Sequence, residues 1–335
     1  MGRPKKDDKV HIVRTEHVLF FIRLFEGLNI DLLPLLRETR IPNTLIDQPE
    51  YLYLPESTLK NLLQKLGQSV SISEYGLRVW EMCSVKYVPS YLEKLEDGVS
   101  LKVCLTEFGE LLKRESSNTK VYVKQAGGSW WLVREKSGVE EVCFKYAEMF
   151  SVLFMVQLLK QLTHGQYRPT EIGVQSNVID DFLKLPELHK VRFYSERPVT
   201  ALKIDDELIE QLVTIGKKSS EPNEFMPTIL SFTQSLKLAL SPYFTAGKLP
   251  LDMASDITNI HSRTIQRRLR EEGTNYKEFS EEILFALIKS ALTRSHNVSK
   301  IAQQFGYSDC AHFTRAFKRY EGVTPSQYRA SIDAK

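Results

Sequence analysis

Two stretches near the C-terminus decide the fold: Ala254-Ser255-Asp256-Ile257-Thr258-Asn259-Ile260-His261-Ser262-Arg263-Thr264-Ile265-Gln266-Arg267-Arg268-Leu269 and Ala302-Gln303-Gln304-Phe305-Gly306-Tyr307-Ser308-Asp309-Cys310-Ala311-His312-Phe313-Thr314-Arg315-Ala316-Phe317. They superpose at one offset of 48 residues, which lays Ala254 on Ala302, Ile265 on Phe313, Arg267 on Arg315 and Leu269 on Phe317. A small residue, a turn, then a helix with apolar anchors four apart and an arginine between them is the pattern of a helix-turn-helix. An isolated basic helix would read as a solvated surface. The recurrence of the whole frame instead predicts a DNA-reading module.

In the second copy, Asn297 is placed to cap a helix carrying Val298, Ile301 and Ala302. Gly306 falls in the turn, where a positive φ is needed. Ser308 is the expected cap of the next helix, with Asp309 in its first turn. On that helix Phe313, Phe317 and Tyr320 face inward, and Ala311, Thr314, Arg315 and Lys318 face outward. Arg315 is the natural reader of guanine. In the first copy Ile265 and Leu269 point inward, and Arg263, Gln266, Arg267 and Arg270 outward. Arg268, Arg270, Lys318 and Arg319 are the expected phosphate contacts. Between the copies, Tyr276, Phe279, Ile283, Leu287 and Ala291 form one face of a helix over residues 276–294. Such a helix is ~30 Å long, close to the ~34 Å between successive major grooves on one side of B-DNA. One chain is therefore able to engage both grooves.

Charge agrees in distribution more than in amount. The formal net charge is +3, yet residues 241–335 hold fourteen Lys/Arg against ten Asp/Glu, leaving the rest slightly acidic. Cys83, Cys104, Cys143 and Cys310 are scattered without a CxxC pair or metal spacing, so they read as reduced thiols in a cytoplasmic protein, with no metal and no cofactor expected. No phosphate loop, HExxH or catalytic-triad order is present in the sequence, which predicts that the chain is not an enzyme. There is no apolar signal core and no run long enough to span a bilayer. Residues 1–13 begin with a basic stretch, Met1-Gly2-Arg3-Pro4-Lys5-Lys6, read as a flexible tail; Gly-Arg-Pro flanked by lysines also resembles the core of an AT-hook.

Residues 14–215 predict an α+β domain. Residues 14–40 and 55–66 have helical spacing, and Val121–Val123, Trp130–Val133 and Val142–Tyr146 read as a three-stranded antiparallel meander. An apolar helix over residues 148–163 follows, then strands near residues 171–174, 190–194 and 199–204. Residues 216–225 form the expected linker, and residues 226–335 an all-α domain that starts with a helix carrying Ile229, Phe232, Leu236 and Leu240.

The run from Phe305 through Phe317 to Arg329 resembles the signature of AraC-type transcription regulators, and Ser262–Leu269 resembles the first reading helix of that family. The likeness covers residues 226–330 and implies two helix-turn-helix units joined by a long helix. It also implies that Arg263, Gln266 and Arg267 face one groove and Ala311, Thr314 and Arg315 the other, with Lys318 near phosphate. The first copy departs from the family at His261, where serine usually caps, at Thr258, which matches Gly306, and at Ile283, where an arginine is common. Residues 17–205 are similar to the effector or dimerisation domain of the ornithine-utilisation-regulator subgroup. This implies a homodimer and a small-molecule effector, with promoter DNA and RNA polymerase as partners and activation as the outcome. Two readings stay open for this domain: an effector sensor, or a dimerisation scaffold without ligand. Trp130, Trp131, Tyr122 and Tyr146 line a pocket in the first reading and are ordinary core in the second. Trp130, Arg168 and Arg192 are the effector candidates, the arginines for an anionic ligand.

Overall fold

The computed structural model describes residues 9–26, 28, 30–43, 45, 51–138, 141–177, 179–185, 187–215, 230–245, 247–295 and 297–333. In chain order the amino-terminal elements are β1 (Ile12–Arg14), α1 (Thr15–Glu26), α2 (Leu32–Glu38), β2 (Tyr53–Pro55), α3 (Glu56–Ser69), α4 (Ile72–Met82), α5 (Val88–Leu92) and α6 (Leu101–Glu115). They are followed by β3 (Lys120–Ala126), β4 (Ser129–Glu135), α7 (Phe144–Leu162), β5 (Glu171–Gly173), α8 (Ile179–Leu183), β6 (Arg192–Tyr194), β7 (Thr200–Ile204) and α9 (Asp206–Ile209). A π-helical turn, Cys83–Tyr87, joins α4 to α5.

Helix α7 organises this part because it is buried nearly all round. It packs against α4, α5 and β7. The sheet runs β3-β4-β7-β5-β6, antiparallel except for β5 beside β6. Helix α6 lies close on β3 because residue 109 is glycine: a Cβ there would overlap the Val121 carbonyl oxygen. This is an α+β region, as its pattern of elements predicted.

Two local expectations fail. The segment Val142–Tyr146 is not a third strand of a meander. The Cys143 carbonyl accepts from the N–H groups of Tyr146 and Ala147, so the chain has already turned into α7. The place beside β4 goes to β7, which sets Leu202 opposite Leu132, both fully buried. The helical spacing over residues 14–40 is two helices, because Asp31 accepts from Leu33 N–H at 3.1 Å and starts α2 anew. The proposed linker, residues 216–225, and the basic stretch Met1–Lys6 lie outside the described residues, but the expected tail over residues 1–13 is too long: Ile12 and Val13 are buried in β1.

Polar groups are buried within this core. Glu148 on α7 accepts the N–H groups of Gln175 and Ser176 and the Thr200 hydroxyl at 2.6–3.0 Å. Glu115 meets His17 Nε2 at 3.0 Å and accepts the Tyr91 hydroxyl, while Tyr87 hydrogen-bonds His17 Nδ1. Burial pushes the Glu115 carboxyl up, but the hydrogen bonds and charge of His17, the Tyr91 bond and the Lys94 charge outweigh it. They hold the carboxyl at about 2.

In the carboxyl-terminal part the elements are α10 (Phe232–Leu240), α11 (Leu251–Thr258), α12 (Ser262–Glu271), α13 (Tyr276–Arg294), α14 (Val298–Gln304), α15 (Cys310–Glu321) and α16 (Pro325–Asp333). Ser231 and Gln234 form a reciprocal capping box on α10. The Glu272 carboxylate also accepts the N–H groups of Phe232 and Thr233, both at 2.9 Å, which ties α12 to the start of α10. Contacts divide the described chain into two compact units: residues 13–41 with 58–228, and residues 229–335 with 1–12 and 42–57. Within the second unit β2 packs on α10, and the Ser57 hydroxyl donates to the Ile257 carbonyl at the end of α11.

A pH effect follows from Glu115. Its folded value is below the ordinary 4.5, so its stabilisation is complete above that value and is lost as pH falls toward about 2. The full contribution is roughly 3 kcal/mol. Denaturant unfolding at pH 7, 4 and 3 should show this loss in the wild type and a flatter profile in Glu115→Gln.

Candidate nucleic-acid interface

The two helix pairs, α11/α12 and α14/α15, keep the sequence offset in three dimensions. Ala254 and Ala302 are buried on the first helix of each pair, and Ile265, Leu269, Phe313 and Phe317 are fully buried on the second. Helices α12 and α15 begin at Ser262 and Cys310, again 48 apart. At ~100° per residue, burying anchors four apart fixes which side chains turn outward. Arg263, Arg267 and Arg270 are exposed and Gln266 half-buried on α12; Ala311, Arg315 and Lys318 are exposed and Thr314 half-buried on α15. The two quartets occupy equivalent positions at the shared offset.

The turns reach this geometry by different local chemistry. In the second pair Gly306 takes φ 74°, as expected, and Asn297 caps α14 by accepting from Lys300 N–H at 3.0 Å. The cap of α15 is Asp309, not Ser308. Its carboxylate accepts from His312 N–H at 2.6 Å, and the Ser308 hydroxyl supports it from 3.2 Å. The His312 N–H, helped by Ser308, Ala311 N–H and the Arg315 charge, holds the Asp309 carboxyl below its ordinary value. An ionised cap suits a helix N-terminus better than a hydroxyl, which is why aspartate takes the position. In the first pair the left-handed residue is Asn259 (φ 56°), one position beyond Thr258, whose hydroxyl bonds back to the Ala254 carbonyl. The cap of α12 is His261, with Nδ1 accepting from Arg263 N–H at 3.2 Å.

Helix α13 supports both pairs. Its burial extends beyond the single face that the spacing implied, taking in Phe279, Ile283, Leu284, Phe285, Ile288 and Leu292. Tyr276 donates to the Leu249 carbonyl at 2.8 Å at one end, and Lys289 pairs with Glu321 at 2.8 Å toward the other. Phe285 stacks on Tyr320 at 4.1 Å, which leaves Tyr320 40% exposed rather than inside the core.

Not every predicted cation stands on the outward faces. Arg268 lies on the opposite flank of α12, where its guanidinium covers the Phe232 ring at 5.4 Å and bonds Glu271 at 3.1 Å. The spacing of charges showed a basic run but not this packing. Arg267 also bonds Glu271, at 2.7 Å, from the outward face. Arg319 is exposed beside the α15 quartet.

The effector candidates are not gathered into one site. Trp130 lies on β4 beneath Lys102, at 4.5 Å. Arg168 bonds the Gly165 carbonyl at 2.6 Å, and Arg192 is exposed on the edge strand β6. The pattern that sequence reasoning missed is the His17, Tyr87, Tyr91 and Glu115 group; His17 and Glu115 lie far in the chain from the two tyrosines, and the four share no motif.

A family model described as helix-turn-helix domain matches residues 254–331, the span that holds both helix pairs. This segment is a helix-turn-helix domain. The chain is 27% identical over 133 residues to the HTH-type transcriptional activator CsvR of Escherichia coli, a match covering 39% of this chain and 44% of that protein. It is 32% identical over 84 residues to the activator CfaD of the same organism, covering 24% of this chain and 31% of the relative. The chain thus spans less than half the length of these curated relatives. The crystal structure of the transcriptional regulator CdpR from Pseudomonas aeruginosa aligns over 93% of this chain and 98% of its own, at 16% identity and a TM-score of 0.33. Among the described residues no helix is long and apolar enough to cross a membrane.

Arg268→Ala should lower the unfolding free energy by about 1 kcal/mol, the size of a partly exposed cation–π contact, and leave DNA affinity within twofold. Equilibrium denaturation and a binding titration on the same preparation measure both quantities.

Proposed function

We propose that this protein is a sequence-specific DNA-binding transcription regulator, acting as an activator. It carries two helix-turn-helix units, α11/α12 and α14/α15, whose second helices enter successive major grooves. The observation that carries the reading is the pair of equivalent outward quartets, held by buried anchors on helices that precede and follow one 19-residue helix in the chain. That helix is ~28 Å long, near one turn of B-DNA. The domain match and the activators among the relatives support the same reading.

In this mechanism Arg315 is the leading base reader, and Thr314 and Ala311 contact neighbouring base edges. Arg263, Gln266 and Arg267 read the other groove; Arg267 first exchanges its Glu271 contact for DNA. Arg270, Lys318 and Arg319 neutralise phosphates. Residues 226–335 serve as the DNA-binding part. Residues 14–215 serve as the part that binds a small effector and self-associates, so that a liganded homodimer recruits RNA polymerase to a promoter.

Arg315→Ala should cost about 1–3 kcal/mol on the cognate site and far less on random DNA. Lys318→Ala should weaken both equally and reduce the salt slope by about 1. Equal losses on both DNAs for Arg315→Ala would remove its base-reading role.

A further inference from the structure

The compact unit formed by residues 13–41 and 58–228 holds a partly open cavity of about 90 Å³. Its walls are mainly apolar, with Phe21, Phe108, Phe150 and Phe154 prominent. His17, Tyr87 and Tyr91 form one polar edge, and this edge is internally satisfied through Glu115. Arg134, 4% exposed, and the half-buried Lys136 add two positive charges to the lining, and no Asp or Glu is among the lining residues.

Three features distinguish this space from a packing defect. Burying an arginine beside an apolar cavity carries a desolvation cost that an apolar residue would avoid, so its retention points to a role other than stability. The π-helical turn Cys83–Tyr87 sets Tyr87 against the cavity, and such interruptions of regular helix recur at functional sites. A mostly apolar pocket with a few convergent polar groups is the usual form of a small-molecule site.

We propose that this cavity is the effector site and that its ligand is a small carboxylic acid with a short apolar body. The aromatic walls take the body, and Arg134 with Lys136 takes the carboxylate. A cavity of roughly 150 Å³ admits benzene, so the smaller volume here excludes bulky ligands. The inference rests on the reading of the chain as an effector-controlled regulator. Its lining also suggests how occupancy is felt. Val13 and His17 follow Ile12 along the chain, and Leu59 and Leu63 follow Ser57 on α3; Ile12 and Ser57 belong to the unit that holds the reading helices. The ligand thus touches side chains within a few residues of both segments that complete the DNA-binding unit.

The test uses the full chain, with propionate and butyrate as probes and butyramide and formate as controls lacking the charge or the body. Propionate or butyrate should raise the thermal midpoint by several degrees at millimolar concentration, because each binds only the folded state. Butyramide and formate should shift it much less. Ala147→Leu, which fills the cavity from α7, should abolish the response, and Lys136→Gln should weaken it at least tenfold. If Ala147→Leu does not fold, as judged by circular dichroism, Lys136→Gln decides. No response to either acid, an equal response to butyramide, or a wild-type response in both folded variants would overturn the proposal. DNA binding measured on the same preparation separates the failures: intact binding without an acid response rejects this cavity, whereas loss of specific binding rejects the regulator reading itself.

Discussion

The structure of the reading unit depends on the burial of four side chains: Ile265 and Leu269 on α12, and Phe313 and Phe317 on α15. Each pair stands one helical turn apart, so burying it removes the helix's freedom to rotate about its axis. Once rotation is fixed, the identities of the outward residues follow from the sequence alone. The same anchors rest on a unit whose long helix α13 is buried on several sides, so the two outward faces are held by one rigid support. Base readout needs this, because a bidentate arginine contact is sensitive to small displacements.

How much of this was legible in the sequence varies with how local each interaction is. The 48-residue frame was legible because its anchors, Gly306 and the Asn297 cap act within a few residues of one another. The choice of Asp309 over Ser308 was not, since both residue types cap helices and the one-residue difference in the helix start shows only in the His312 N–H bond. Residues 51–57 gave no sign of belonging with helices almost two hundred positions later. Their place rests on the packing of β2 against α10 and the bond from Ser57 to the Ile257 carbonyl. The strand-like alternation of Val142, Phe144 and Tyr146 misled for a related reason. Period two and the start of an apolar helix look alike over five residues, and burial along all of α7 decides between them.

The amino-terminal unit shows a different use of burial. Its aromatic core surrounds imidazole, phenol, carboxylate and guanidinium groups. His17, Tyr87, Tyr91 and Glu115 come from four separate elements and satisfy one another, so only the folded chain assembles them. In sequence, α1 and most of α3 follow directly on Ile12–Arg14 and Ser57, where the chain passes from one compact unit to the other.

Two helices on one chain that read two successive grooves leave a footprint of defined spacing. Hydroxyl-radical footprinting of the protein on its own promoter region should show, for each bound chain, two protected patches on one face of the duplex, centred about 10–10.5 base pairs apart. A single patch per chain, or two patches on opposite faces, would contradict the two-groove reading.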